Sequence, residues 1–325
     1  MKNNIAFMAV LSALLFSNTS FAQGADDPNA LGWKKSAKLG TNLSLSSSQD
    51  VVGQTDGTSE TYGLNLKSEF KRLSETDEWR TEGSLIAATT KTPSISRFVK
   101  SNDELKFNTT YLLFLNDKKT WGPYARAEAS APMFKGEDVQ ASAKSYVVTR
   151  NNGTTTTTAP VTSYRLTDGF KPLNTKESLG FFWKAVNEER LKVEVRVGAA
   201  ALQIDASGQF AAKGSDTAGN IKVSELSDVN QAGLEAAVSV KGKVDDKSAY
   251  ELGVESLTPF VNNKASSDDR DALALTNIDG YVKLTSNITS WASFGYDYKV
   301  KLQPQLTERA QQTHMIVLAV SYNLL

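Results

Sequence analysis

The sequence predicts an all-β fold: a single antiparallel transmembrane β-barrel of about twelve strands, wound as an up-and-down meander. Three observations predict it. Apolar and polar residues alternate with period two over segments long enough to cross a bilayer. The connections between those segments alternate long and short. The first residues have the build of an export signal.

That signal comes first in the chain. Met1-Lys2 gives a short basic start, Ile5 to Phe16 is an apolar core, and Ser20-Phe21-Ala22 offers small residues for a signal peptidase. Residues 1–22 are therefore expected to be removed, with cleavage after Ala22. Residues 23–32 form a short N-terminal segment on the periplasmic side, and 33–325 form the barrel.

The strands follow in order. In 33–46, Ala37, Leu39, Thr41, Leu43 and Leu45 alternate with Lys38, Gly40, Asn42 and Ser44. In 59–72, Tyr62, Leu64, Leu66 and Phe70 oppose Asn65, Lys67, Glu69 and Lys71. Spans 78–90 and 102–115 come next, the latter with Leu105, Phe107, Tyr111 and Leu113 against Glu104, Lys106 and Asn108. Spans 121–134 and 177–186 precede 190–204, where Val193, Val195 and Val197 oppose Lys192, Glu194 and Arg196. In 229–243, Leu234, Ala236, Val238 and Val240 oppose Glu235, Ser239 and Lys241. Spans 248–261 and 272–286 lead to 290–303, with Phe294, Tyr296, Tyr298 and Val300 against Asp297, Lys299 and Lys301. The last, 313–324, carries Ile316, Leu318, Val320 and Tyr322. Every span meets the ~9–11 residues that a tilted transmembrane strand needs.

Short polar turns at 73–77, 116–120, 187–189, 244–247 and 287–289 alternate with loops at 47–58, 91–101, 135–176, 205–228, 262–271 and 304–312. Short periplasmic turns, long extracellular loops and an even strand number describe an outer-membrane barrel with both termini in the periplasm. The apolar stripe then faces lipid and the polar stripe faces the lumen. Closure is required, because an open sheet edge in hydrocarbon would leave backbone groups unpaired. The five tryptophans, Trp33, Trp79, Trp121, Trp183 and Trp291, each fall near a periplasmic strand end, where indoles make an interfacial girdle. Trp291 lies on the polar stripe unless its strand is bulged.

These features resemble those of Gram-negative outer-membrane β-barrel proteins of the porin-like kind. The C-terminal strand ends Val320-Ser321-Tyr322-Asn323-Leu324-Leu325, although such barrels usually end in an aromatic residue. The stretch Lys100-Ser101-Asn102-Asp103-Glu104-Leu105 is similar to uncharacterised outer-membrane barrel families, one of which is called salt-induced. Those families carry no established activity. The resemblance implies outer-membrane lipids, lipopolysaccharide and the barrel assembly machinery as partners.

Composition narrows the chemistry. The chain holds 36 Lys+Arg against 36 Asp+Glu, one His and no Cys. Thiolate chemistry, disulfides and His-rich metal sites are therefore excluded. Balanced charge argues against nucleic acid as a partner. Barrel lipases of the outer membrane keep a His and a Ser two apart on one strand, whereas His314 is followed by Met315-Ile316; no Asp-x-His of the omptin kind occurs. His314 reads as a residue of the outer rim. Carboxylates at Asp268, Asp269 and Asp271 read as a solvated loop rather than a calcium site. No enzyme and no cofactor is expected.

The lumen stripe carries Lys67, Lys106, Arg126, Glu128, Arg196, Glu235, Glu255, Asp279 and Asp297 near mid-strand. In a channel, such charges line a constriction that selects solutes. In a closed barrel, they form a salt-bridge plug. Twelve strands lie between the filled eight-stranded barrel and the open sixteen-stranded porin. Passive passage of small hydrophilic solutes is the leading expectation, and a closed structural or surface-interaction barrel is the alternative. Loop 135–176, with its run Thr154 to Thr158, reads as a flexible tip, a constriction folded over Arg126, Glu128 and Arg196, or an adhesion site.

Overall fold

Eighteen strands form among the described residues of the computed structural model, which are 31–48, 57–264, 268–289 and 292–323. In chain order they are β1 (Gly32–Ser48), β2 (Gly57–Leu73), β3 (Asp77–Thr92), β4 (Ile95–Leu113), β5 (Trp121–Ala131), β6 (Gly136–Lys144), β7 (Tyr146–Thr149), β8 (Thr155–Thr157) and β9 (Val161–Thr167). Then come β10 (Leu173–Asn187), β11 (Leu191–Asp205), β12 (Phe210–Ser215), β13 (Ile221–Glu225), β14 (Val229–Lys243), β15 (Ser248–Asn262), β16 (Asn277–Asn287), β17 (Ala292–Gln303) and β18 (Thr307–Asn323). Twelve of them close an antiparallel barrel in the order β1-β18-β17-β16-β15-β14-β11-β10-β5-β4-β3-β2. Closure runs through β1 and β18, whose register spans the pairs Lys38↔Asn323 to Thr41↔Val320. By contrast, β1 and β2 pair from Gly32↔Leu73 to Ser48↔Gly57.

All connections at one end of the barrel are tight. There, Asp and Asn side chains take up free backbone N–H groups: Asn116 Oδ1 accepts from Thr120 at 2.9 Å, and Asp245 Oδ1 accepts from Lys247 and Ser248 at 2.8 and 2.6 Å. We call this the turn end and the opposite one the loop end.

The exterior is apolar in a continuous band. Phe107, Leu179, Phe181, Val197, Leu234 and Val254 are 47–66% exposed. A contiguous apolar surface of this extent is matched by hydrocarbon, not by water. Trp33, Trp79, Trp121 and Trp183 sit on this face near the turn end, each at least 44% exposed. Trp183 and Trp121 are direct cross-strand partners, and the Trp33 and Trp79 rings lie 6.3 Å apart. Trp291 and residues 1–30, which hold the expected signal segment, lie outside the described residues.

The structure corrects several expectations. No long loop occupies 91–101: β3 and β4 form an extended hairpin joined at Pro93-Ser94. The expected strand start at 272 is a turn. There Asp271 Oδ1 accepts from Ala274 N–H at 2.8 Å, and its carbonyl accepts from Leu275 N–H at 3.2 Å, so the alternation of Leu273 and Leu275 is not extended backbone. His314 pairs with Tyr298, seven residues into the 17-residue β18 and away from the rim.

Segment 135–176 is folded too. Its strands β6 and β9 pair with each other, while β7 and β8 join β12 and β13 of the next connection in a four-stranded sheet. Even the threonine run is partly strand, as β8. This unit has its own core of Tyr146, Val148, Phe210, Ile221 and Val223. The Tyr146 ring stacks on Tyr164 at 4.6 Å, and its hydroxyl donates to Asp138 at 3.0 Å. Burial, then the neighbouring Asp138 carboxylate, pushes the Tyr146 phenol well above its ordinary range.

Candidate functional site: the charged lumen

Period-two alternation sends every second side chain of the twelve barrel strands inward. The inward set is unevenly packed. On β5, β10, β11 and β14 it is buried: Tyr124 is 3% exposed, Phe182 2%, Ser178 5% and Glu235 0%. On β1 and β2 it is open, with Lys38, Asn65 and Lys67 all exposed at mid-strand. The lumen therefore has a filled half and an open half.

Glycines make the filled half possible. Tyr124, Gly180, Gly198 and Glu235 follow one another across β5, β10, β11 and β14 as cross-strand partners. With no side chains at the two central positions, Tyr124 lies over them and donates its hydroxyl to Glu235 Oε1 at 3.1 Å. A Cβ on Gly180 would come within 2.2 Å of the Val197 carbonyl oxygen, so no larger residue fits.

An ion network sits beside this row. Arg126 donates to Glu255 at 2.6 Å and to Glu128 at 2.5 Å. Lys176 donates to Glu255, and its ammonium lies 2.8 Å from Glu235 Oε2 as an ion pair. Arg196 lies 3.6 Å from Glu255 and over the Tyr124 ring at 5.7 Å. Lys106 pairs with Glu128 at 2.9 Å. Glu255 thus balances three cations from three other strands, which is how charges this buried are tolerated.

A second network lies nearer the turn end. Glu78, 1% exposed, receives Lys71 at 2.9 Å, Arg80 at 2.6 Å and Lys184 at 2.7 Å. Arg80 also reaches Glu194 at 2.9 Å. An apolar cluster of Leu73, Leu112, Phe114, Tyr124 and Phe182 packs here, with the Lys184 ammonium 4.6 Å from the Phe114 ring centre. Toward the loop end, Ala200, Leu202, Ile204, Val229 and Leu257 form another inward apolar cluster. Between it and the Glu255 network, a cavity of about 30 Å³ is bordered by Glu128, Lys176, Asn277, Asp279 and Lys301. That space suits about two waters.

One pair divides the filled from the open half. Lys299 on β17 donates to Glu104 on β4 at 2.6 Å, across five steps of the strand ring. Asp279 meets Lys301 loosely, at 3.9 Å.

Of the charges singled out from the sequence, Lys106, Arg126, Glu128, Arg196, Glu235 and Glu255 are brought together, and Asp279 borders them as the cross-strand partner of Glu255; Lys67 and Asp297 stand apart from that group. Of the expected loop 135–176, its last residues reach this group as part of β10, with Lys176 the cross-strand partner of Glu128 and paired with Glu255; among the described contacts, none joins residues 135–167 to Arg126, Glu128 or Arg196. Lys176 is missed by sequence reasoning, because the period-two pattern places the strand start at 177, whereas β10 begins four residues earlier, at Leu173. Glu78, Arg80, Lys184 and Glu194 are missed too. Their inward parity was legible, but they sit close to the turns.

No His, Cys, Asp and Glu grouping suited to a metal occurs among the described residues. In the loop-end carboxylate run, Asp268 is engaged by Arg270 at 2.6 Å, and that hydrogen bond holds its carboxyl down to about 2.

Comparison with protein-family models and with curated protein sequences gives no match. Among solved structures, the chain is similar to the translocator domain of autotransporter NalP from Neisseria meningitidis, at 12% identity over 98% of this chain and 97% of that one, with a TM-score of 0.38. An outer-membrane channel from Pseudomonas putida F1 aligns at 11% identity over 94% of this chain and 100% of its own, with a TM-score of 0.42. The NanC porin aligns at 10% identity over 88% and 98%, with a TM-score of 0.38.

Proposed function

We propose that this chain is an outer-membrane barrel, with its turn end and termini in the periplasm, that passes small hydrophilic solutes passively through the open half of its lumen. The observation that carries the reading is the division of the lumen: Lys38, Asn65 and Lys67 are exposed at mid-strand, while Tyr124 and Glu235 opposite them are sealed. An exposed inward residue at that depth is one that water reaches inside the wall. The filled half keeps the barrel rigid, and the Glu104–Lys299 pair forms the inner wall of what is left. The apolar band meets outer-membrane lipid and lipopolysaccharide, and export and insertion use the N-terminal signal and the assembly machinery. No step of the reading is catalytic.

The test is planar-bilayer conductance of the purified mature protein. Discrete open-channel steps are expected. A second reading, a closed structural or surface-interaction barrel, is favoured by the same Glu104–Lys299 pair, because it bridges the lumen between β4 and β17. A folded barrel that stays silent, and remains silent after Lys299→Gln, is the result that selects it.

A further inference from the structure

The open half carries charge that its wall leaves unpaired. Lys38 on β1 and Lys67 on β2 are direct cross-strand partners, both inward and both exposed. Neither lies within 4.0 Å of a carboxylate among the described residues. Like charges directly opposite one another destabilise a ladder. On folding grounds alone, a neutral residue would serve better at either position.

The neighbouring groups sharpen this. Ser84 on β3 continues the lysine row as the partner of Lys67 and brings a hydroxyl to it. One row toward the turn end, Glu69 opposes Glu82; both are only half exposed, and neither pairs with the lysines. On the facing wall, Lys283 on β16 lies between Glu251 and Asp297 in register. Glu251 is already engaged, by Lys241 at 3.2 Å and by the Tyr281 hydroxyl at 2.9 Å. A solute at this depth therefore meets two free ammonium groups ahead of the recessed carboxylates. Low-dielectric walls strengthen such a field.

We propose that Lys38 and Lys67, with Ser84, form an anion station at mid-depth, and that the passage takes small anionic solutes in preference to cations. This rests on the passive-passage reading above. It deepens that reading by naming the solute class. The chemistry recognised is a compact carboxylate, phosphate or sulfate group held by two ammonium groups and a hydroxyl donor.

The chain contains no cysteine, so an introduced thiol is a clean probe. In Lys67→Cys, the rate of modification by anionic methanethiosulfonate ethylsulfonate is compared with that by the cationic ethyltrimethylammonium reagent, each normalised to free thiol. With Lys38 as its direct cross-strand partner in a wet lumen, the anionic reagent should be favoured about fivefold at low salt. Lys38→Gln should abolish the preference and Lys38→Arg should keep it. In a KCl gradient across a bilayer, the reversal potential of the unmodified protein should report chloride preference, lost in Lys38→Gln/Lys67→Gln.

A preference for the cationic reagent, or one indifferent to Lys38, would overturn the anion station while leaving a conducting passage intact. A thiol unreactive toward both reagents from either side, in a silent barrel, would overturn the passage and the station with it. A silent barrel whose thiol still prefers the anion keeps the station and discards only the passage.

Discussion

Removing the charge of Glu255 should be the most damaging single change in the lumen. Its carboxylate receives Arg126 at 2.6 Å and Lys176, with Arg196 at 3.6 Å, and its side chain is 17% exposed. In Glu255→Gln the shape survives and one acceptor remains, but three cations lose their shared counter-charge. Breaking one side of a buried pair costs roughly 3–5 kcal/mol. Glu128 and Glu235 still balance part of the charge, so the lower bound, about 3 kcal/mol, is the expected loss. With a urea slope of about 2 kcal/mol per molar, the unfolding midpoint should fall by about 1.5 M. The assay is urea titration of the barrel in detergent micelles, followed by tryptophan fluorescence and by gel mobility of unheated samples. Adding Arg126→Met to Glu255→Gln should recover part of the loss, because it removes the uncompensated cation. A midpoint shift below about 0.3 M for Glu255→Gln, or a double variant no better than the sum of its parts, would refute the network account.

Val195→Arg places a cation on the apolar exterior and should cost roughly 2–4 kcal/mol, whereas Arg196→Val, on the adjacent inward position, should cost less; yields of membrane-inserted barrel compare them. Gly198→Leu should push Tyr124 off its seat and lower thermal stability by more than Ala236→Leu on the outer face, read by heat-induced mobility shift. Deleting residues 150–160 removes β8 and should leave single-channel conductance unchanged, since that sheet has its own core away from Arg126. The raised phenol of Tyr146 stabilises the small sheet below the ordinary tyrosine range of about 10, and that contribution is lost as pH rises through its higher folded value. Alkaline difference spectra of the protein and Tyr146→Phe should therefore diverge only above the main tyrosine transition. For orientation, cysteines at Thr156 and Asp269 should label in intact cells, and those at Asn116 and Asp245 should not.

The barrel was legible because alternation of period two over a bilayer's depth is a strong signal, and the tight turns repeat it at every second connection. Three kinds of feature were not. Leu273 and Leu275 alternate like a strand, yet Asp271 caps a turn there, and one capping carboxylate outweighs a two-residue pattern. Thr154 to Thr158 reads as a mobile tip, but Thr155–Thr157 pairs with β7, because the core that recruits it is completed by Phe210 and Ile221 from another connection. Within the lumen, alternation assigns a face and not a partner. That Glu255 would meet Arg126, or Lys299 reach Glu104, depends on barrel curvature and long side chains, neither of which is written in local sequence. Arg196 illustrates the difference. Its inward parity made it a candidate for the solute path, yet Tyr124 and Glu255 hold it in the sealed half, so charge reversal at Lys67 is the sharper probe of selectivity.

Among the described residues, the closing contact between β1 and β18 runs from Lys38↔Asn323 to Thr41↔Val320, although each strand has 17 residues. It is also the place where the first and last strands meet, and it borders the open half rather than the glycine-and-tyrosine side. The wall is thus a thick keel opposite a thin fault line. Thermal opening should begin along that line, like a sleeve parting at its shortest row of stitches, while the sealed strands hold together. Amides of β1 and β18 should exchange with solvent long before those of β10 and β11, and a new strand offered to the barrel from outside would find its free edge there.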